Sequence, residues 1–202
     1  MAGVRLGILG GTFDPVHRGH LALAAAARAE LGLDRVAFVP AGQSWRKADR
    51  PITSADHRLS MLRLALQAEE TFEIATLELE REGPSYTADT LEALRMDRPN
   101  DELFFIIGED ALLDLPNWTR PERILELAVL VVARRVSGDG TAVGEAARRL
   151  PGLLDRAVWL KMPPLDVSGT EIRDRVRCGL PIGDLAPAAV EEYIRKQGLY
   201  RT

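Results

Sequence analysis

The chain has few of the residues that mark secreted, membrane-spanning or broadly nucleic-acid-binding proteins. Its 202 residues include one cysteine, Cys178, so no intramolecular disulfide can form, which is typical of a reducing compartment. The formal net charge is -4, which argues against a broad basic face for nucleic acid. No apolar stretch approaches the length of about 20 residues that a membrane helix needs, and the first strand-like run is too short for a signal peptide. We therefore expect a cytoplasmic protein that binds neither nucleic acid nor membranes.

The sequence does contain a regular alternation of apolar, β-branched runs with helical patterns. The predicted strands are 4–9, 35–40, 72–79, 103–108, 129–135 and 157–161. The predicted helices are 20–31, 54–68, 87–96, 121–128, 144–150, 168–179 and 187–197. Thr53 or Ser54 is expected to cap the second helix, and Thr87 the third. Strands that alternate with helices predict right-handed βαβ units, and hence an α/β fold with a parallel sheet in one domain.

The stretch GGTFDPVHRGH, from Gly10 to His20, follows the first predicted strand directly. In open parallel sheets, ligands bind beyond the carboxyl ends of the strands, so its position favours a site over a simple turn. It is not a known dinucleotide or P-loop fingerprint, because the glycine spacing differs and no Lys-Ser/Thr pair follows. A zinc site held by His17 and His20 would need further ligands, and the only other histidine, His57, lies in a separate helix. We therefore predict no resident metal at this histidine pair.

A phosphate clamp accounts for the same stretch better. A helix that begins near His17 presents free N–H groups and the positive end of its dipole, which together favour an anion. Gly10 and Gly11 let a polyphosphate approach the backbone, and the Thr12 hydroxyl and the imidazoles of His17 and His20 can donate hydrogen bonds. In nucleotidyl transfer the protein need only align the reacting oxygen with the α-phosphorus and stabilise the charge of the leaving pyrophosphate.

These residues also resemble a known family. The stretch is similar to the T/HxGH signature of the nucleotidyltransferase superfamily. Three further segments resemble the bacterial nicotinate-nucleotide adenylyltransferase family: EGPSYTADTL (82–91), IIGEDALLDLPNW (106–118) and VSGTEIR (167–173). The resemblance spans roughly residues 4–197. It implies a Rossmann-like, doubly wound sheet of five or six strands. It also implies transfer of AMP from ATP, which brings Mg²⁺, to nicotinate mononucleotide, giving deamido-NAD and pyrophosphate.

The resemblance also implies site residues. His17, His20, Lys47 and Arg173 would carry catalysis. The residues expected to hold ATP are Gly10, Gly11, Thr12, Gly108, Asp110, Ser168 and Thr170. Those expected on the mononucleotide side are Arg46, Ser85, Tyr86, Thr87, Trp118 and Arg135. The helix that begins at Thr87 would offer N–H groups to the nicotinate carboxylate, Trp118 would stack on the cationic ring, and Asp89 in the same turn would oppose the carboxylate.

The chain departs from the family pattern in three places. SWRK (44–47) stands where the family has P-P-H-K, which keeps the charge but puts Arg46 in place of a histidine. SGT (168–170) replaces S-S-T, and RVSG (135–138) replaces R-P-G-Y. The alternatives are an adenylyltransferase for nicotinamide mononucleotide or for phosphopantetheine, or a nucleotide sensor without turnover. The segments PSYTADTL and LPNW disfavour the phosphopantetheine enzyme, and the sequence leaves a homo-oligomer open.

Overall fold

A computed structural model describes residues 3–42, 52–134, 141–163 and 167–201. Its sheet has six parallel strands in the order β3-β2-β1-β4-β5-β6. The strands are β1 (Arg5–Gly11), β2 (Arg35–Pro40), β3 (Phe72–Ile74), β4 (Glu102–Gly108), β5 (Val129–Ala133) and β6 (Ala157–Leu160). The predicted parallel α/β architecture is confirmed, and so is the number of strands implied by the resemblance.

Eight α-helices connect and flank these strands in the described ranges. They are α1 (Arg18–Leu31), α2 (Ala55–Leu66), α3 (Thr87–Asp97), α4 (Glu109–Asp114), α5 (Pro121–Leu127), α6 (Thr141–Arg149), α7 (Gly169–Arg177) and α8 (Ala188–Gln197). A single 3₁₀ turn, Leu115–Asn117, follows α4. Within these described residues, no helix combines the length and the apolar character needed to cross a membrane.

Both faces of the sheet are buried, which makes the fold doubly wound. Successive residues of a strand point to opposite faces, so Leu6 and Ile8 of β1 lie in one apolar cluster and Leu9 lies in the other. The first cluster is completed by α3, α4, α5 and α6, and the second by α1, α2, α7 and α8. Because strand order reverses direction between β1 and β4, a crevice opens at the carboxyl ends of these two neighbours.

Several predicted boundaries were wrong. The strand predicted over 72–79 ends at Ile74, which pairs with Phe38 of β2, because the chain turns soon afterwards. Beyond Ala75 the chain turns, with Leu79 N–H donating to the Thr76 carbonyl at 2.8 Å. Helix α6 already begins at Thr141, within a segment expected to be a loop up to residue 144. The α4 helix was not predicted at all, since its pattern lies inside a segment interpreted only as a motif.

Candidate active site

Two cavities open at the carboxyl ends of β1 and β4 and share a wall. The shared wall contains Gly11, Thr12, His20 and Gly108. The first, here called the α7-side cavity, is also lined by Asp14, His17, Met162, Ser168, Gly169, Thr170 and Arg173. The second, the α3-side cavity, is also lined by Gly10, Glu78, Ser85, Thr87, Thr90 and Trp118. Ligands bound in the two cavities would therefore contact each other at this shared wall.

The two histidines of the opening stretch form a stacked pair at the start of α1. His17 is the N-cap residue, and its ring lies against that of His20 with centroids 3.6 Å apart. The backbone N–H of His17 donates to Nδ1 of His20 at 3.2 Å. Since Nδ1 accepts this hydrogen bond, neutral His20 carries its proton on Nε2, which makes that nitrogen a donor. Behind the pair, the buried Phe13 ring meets His20 edge-on at 4.9 Å and fixes its orientation.

His17 is buried and neutral at physiological pH. Its side chain is 8% exposed, and burial lowers its pKa to about 4. Its Nδ1 has no hydrogen-bond partner among the described residues. Gly19 makes this position possible, because a Cβ there would lie 3.0 Å from Nδ1 of His17. A buried, uncharged imidazole whose ring nitrogen lacks a hydrogen-bond partner is suited to form a hydrogen bond with a ligand. It is not suited to bind a ligand through charge.

This burial predicts a pH-dependent stability. The pKa of His17 lies below its ordinary value of 6.5 in the folded chain, so the unfolded state binds more protons at acid pH. Its share of the unfolding free energy is present above about pH 6.5 and disappears as pH falls towards 4. Between pH 7 and pH 5 we expect His17 to account for a loss of about 2 kcal/mol. Urea unfolding at both pH values should show this loss in the wild type and a smaller one in His17→Asn, and equal losses in the two proteins would contradict it.

Helix α7 closes the opposite side of its cavity. Ser168 caps the helix by accepting a hydrogen bond from the Glu171 N–H at 3.1 Å. Arg173 donates to the Asp14 carbonyl at 2.6 Å and to the Thr170 hydroxyl at 2.9 Å. The departure at Gly169 has a steric reason, because a Cβ there would lie 3.1 Å from the Asp14 carbonyl oxygen. The glycine thus lets α7 approach the loop that follows β1.

On the α3 side, a tryptophan and a helix start face the cavity. Trp118 is fixed by its indole N–H, which donates to Asp114 at 3.0 Å, and its ring meets Phe105 edge-on. The Thr90 hydroxyl donates to the buried carboxyl of Glu78 at 2.7 Å, and burial raises the pKa of Glu78. Thr87 is the first residue of α3 rather than its N-cap, which is Tyr86, so the predicted cap was wrong. The hydrogen-bonding groups at the start of α3 are therefore backbone N–H groups, and the Thr87 hydroxyl does not cap them.

Known proteins resemble this chain over nearly its full length. A family model described as cytidylyltransferase-like matches residues 8–175. A probable nicotinate-nucleotide adenylyltransferase from Thermomicrobium roseum is 48% identical over 98% of this chain and 92% of its own length. One from Roseiflexus is 44% identical over the whole of both chains. The chain belongs to the nicotinate-nucleotide adenylyltransferase family.

Solved structures agree with the fold. A nicotinic acid mononucleotide adenylyltransferase from Plasmodium falciparum, complexed with NaAD, superposes with a TM-score of 0.78 at 20% identity, covering 98% of this chain and 97% of its own. The same enzyme complexed with APC gives a TM-score of 0.76. The Rossmann-like fold expected from the sequence is thereby confirmed.

The adenylyltransferase residues predicted from sequence fall into three groups. Most line one cavity or both, as given above. Asp110 is exposed in the first turn of α4, and neither cavity includes it or Tyr86 in its walls. Arg46, Lys47 and Arg135 lie outside the described residues. Along the described ranges, no cluster of three or more His, Cys, Asp or Glu side chains is arranged to hold a metal ion.

The sequence analysis missed three residues in or near this candidate site. Arg58 is 3% exposed and donates to the Thr12 carbonyl at 2.8 Å. The helical spacing in the sequence indicated the burial of Arg58, because this residue falls on the same buried stripe of α2 as Met61 and Leu62. Arg120 pairs with Asp89 and, at 3.1 Å, with Glu92. No sequence pattern brings Arg120 to Asp89, because the two are 31 residues apart.

The third missed residue is Glu78, whose buried carboxyl belongs to a wall of the α3-side cavity. His57 is placed away from the histidine pair. Its Nδ1 lies 2.9 Å from the Tyr193 hydroxyl, and this contact joins α2 to α8. His57 lines neither cavity.

Proposed function

We propose that the chain transfers AMP from ATP to nicotinate mononucleotide, with ATP in the α7-side cavity and the mononucleotide in the α3-side cavity. Family membership supports the reaction. The observation that carries the assignment is the shared wall of Gly11, Thr12, His20 and Gly108. Two substrates that must react in line need adjoining sites with one meeting point, and this geometry supplies it.

The α7-side cavity suits a triphosphate. Its donors are of the kinds that bind phosphate: hydroxyls, a helix N-terminus and a guanidinium. Ser168 and Thr170 lie at the start of α7, and Arg173 lies one turn in. We assign these three to the β- and γ-phosphates, so that they receive the charge that develops on the leaving pyrophosphate. Gly108 is placed at the adenosine, and Asp110, although exposed, at its ribose.

The α-phosphate is assigned to the start of α1. His20 donates from Nε2, since its Nδ1 is occupied by the His17 N–H. His17 is neutral, so it contributes one further hydrogen bond rather than charge. Gly10, Gly11 and Thr12 border the path between the cavities, where the mononucleotide's phosphate oxygen attacks the α-phosphorus. The P–O bond to pyrophosphate breaks as the new one forms, and the protein forms no covalent bond.

The α3-side cavity suits a pyridine ring with a carboxylate. Trp118 offers its face, held by Asp114 and Phe105. Backbone N–H groups at the start of α3 face the carboxylate, with Ser85, Tyr86 and Thr87 around them. The negative charge of Asp89 does not oppose this anion, because Asp89 is paired with Arg120. Arg46, Lys47 and Arg135 remain our sequence-based assignments, the first two at the mononucleotide phosphate and the third at the nicotinate.

Mg²⁺ would enter with ATP. Magnesium is usually held by one or two carboxylates together with substrate phosphates, and not by an all-protein cage. The α7-side cavity fits this habit, because Asp14 is the one carboxylate among its described lining residues, and its hydroxyls, N–H groups and guanidinium would bind the phosphates themselves. The ion would neutralise charge on the phosphate oxygens.

We expect purified protein to release pyrophosphate only when ATP, nicotinate mononucleotide and Mg²⁺ are all present. Product analysis should give one deamido-NAD for each pyrophosphate. Elemental analysis should find no stoichiometric zinc. Pyrophosphate release without the acceptor, or one tightly bound zinc whose removal abolishes activity, would contradict the assignment. The sequence-based expectations of a single domain, a cytoplasmic location, no nucleic-acid partner and an open oligomeric state stay predictions.

A further inference from the structure

Three side chains from distant parts of the chain hold the loop that links β1 to α1. This loop, residues 12–15, carries Thr12 and Asp14 and leads directly into His17. Arg58 of α2 donates to the Thr12 carbonyl at 2.8 Å. Arg173 of α7 donates to the Asp14 carbonyl at 2.6 Å. From the far end of the chain, the Tyr200 hydroxyl donates to the Asp14 carboxylate at 2.7 Å. The first two contacts fix the backbone, and the third fixes a buried charge.

The Asp14 carboxylate depends on such contacts because it is buried. Asp14 is 5% exposed, and a buried carboxylate is costly unless donors and positive charge surround it. Arg58 provides the charge, since its guanidinium interacts favourably with Asp14. Tyr200 provides a neutral donor: burial and the neighbouring carboxylate raise its pKa, so the hydroxyl keeps its proton.

The backbone at Tyr200 is also specialised for this contact. Helix α8 ends at Gly198, which takes the left-handed conformation with φ +64°, and the Leu199 N–H returns to the Ile194 carbonyl. Tyr200 itself has φ +62°, a conformation that non-glycine residues seldom adopt. Unfavourable backbone of this kind persists when the surrounding structure requires it. Here the requirement is visible, because this backbone conformation brings the Tyr200 hydroxyl to Asp14.

We propose that Tyr200 is a positioning residue for the ATP half of the site, acting through the Asp14 carboxylate on the loop between β1 and α1. The proposal rests on the assignment of ATP to the α7-side cavity. Asp14 and Arg173 line that cavity and not the α3-side one. Loosening the loop at Asp14 therefore changes the handling of ATP and leaves the mononucleotide's binding nearly unchanged, because the α3-side cavity includes Thr12 of this loop but not Asp14.

The test compares Tyr200→Phe with Tyr193→Phe. Both remove one hydroxyl from an aromatic ring packed on the same apolar cluster near the end of the chain. Tyr193 bonds His57, which lines neither cavity, so it controls for a general loss of packing. We expect Tyr200→Phe to raise KM for ATP about fivefold or more, as loss of a hydrogen bond to a charged group commonly does, with KM for the mononucleotide within about twofold. Tyr193→Phe should leave both KM values within about twofold of those of the wild type, even where its thermal unfolding midpoint falls as far as that of Tyr200→Phe.

A double-mutant cycle with Asp14→Asn identifies the route. If Tyr200 acts through the carboxylate, adding Tyr200→Phe to Asp14→Asn should have little further effect on ATP affinity. Calorimetric titration with ATP alone measures that affinity in all four proteins, at a temperature where circular dichroism shows each to be folded. Additive effects, or parallel changes in both KM values, would overturn the proposal. A wild type that binds ATP but adenylates a different acceptor would contradict the proposed function while leaving this comparison intact.

Discussion

Replacing His20 with alanine lowers kcat by about 100-fold or more, because a donor aimed at charge that develops in the transition state commonly has an effect of this size. The Nδ1 atom of His20 is occupied by the His17 N–H, which directs the proton to Nε2 in the wall common to both cavities. Because the substrates meet at this wall, KM for either should change much less than kcat.

His57→Ala is the matched control for this result. It removes an imidazole of the same size from a helix, but one that bonds Tyr193 and lines neither cavity. Its turnover should stay close to that of the wild type. Steady-state pyrophosphate release gives kcat for both variants, and circular dichroism shows whether α1 survives the loss of the His17–His20 contact. Near-normal turnover in folded His20→Ala would refute the phosphate role of this residue.

The second large effect is a preference for the acid over the amide, by at least about tenfold in kcat/KM. Charge-assisted hydrogen bonds contribute about 1.5–3 kcal/mol, and 1.4 kcal/mol corresponds to a factor of ten. In the proposed arrangement nicotinate would gain such bonds at the start of α3, and nicotinamide would replace them only in part. Arg120 should support this preference by neutralising Asp89, so Arg120→Ala should reduce it.

Arg123→Ala separates that effect from a general loss of ion pairs. Arg123 bonds Glu92 and Glu126 but not Asp89, and it is as exposed as Arg120. The acid-to-amide ratio of kcat/KM should therefore fall in Arg120→Ala and not in Arg123→Ala. Trp118→Ala should weaken both substrates alike, since stacking acts on the ring and not on its substituent. Equal values for the two mononucleotides in the wild type would remove the acid-specific assignment, and a preference lost only in Lys47→Ala would move it to the SWRK segment.

The sequence was most informative where one local pattern determines both structure and chemistry. The stretch from Gly10 to His20 indicated the strand end and the helix start together, because strand, turn and cap all lie within eleven residues, and it predicted a site at the same place. It failed where the deciding neighbour is remote. Asp89, for example, is paired with Arg120 at the start of α5, which is 31 residues away in the sequence.

Two further features of the structure had no reliable local signal in the sequence. The Asp14–Tyr200 contact joins residues 186 positions apart, and no periodicity in the sequence indicates it. The cap of α3 was assigned to Thr87 because threonine is a favoured capping type. In the structure the N-cap residue is Tyr86, which makes no side-chain hydrogen bond there. The capping preference of threonine therefore did not determine where α3 begins.

The walls of the two cavities are completed at very different points along the polypeptide. Among the described residues, those that line the α3-side cavity lie at or before Trp118, whereas the α7-side cavity needs the segment around Ser168–Arg173 and, for its loop, the Tyr200 hydroxyl. During synthesis, which runs from the N-terminus, the ribosome releases the described lining of the α3-side cavity before it releases helix α7. A chain without Tyr200 would keep the described walls of the α3-side cavity, while the loop between β1 and α1 would lack the Asp14 contact. Under the proposed assignment, the acceptor's half of the site is therefore synthesised before the ATP half is complete.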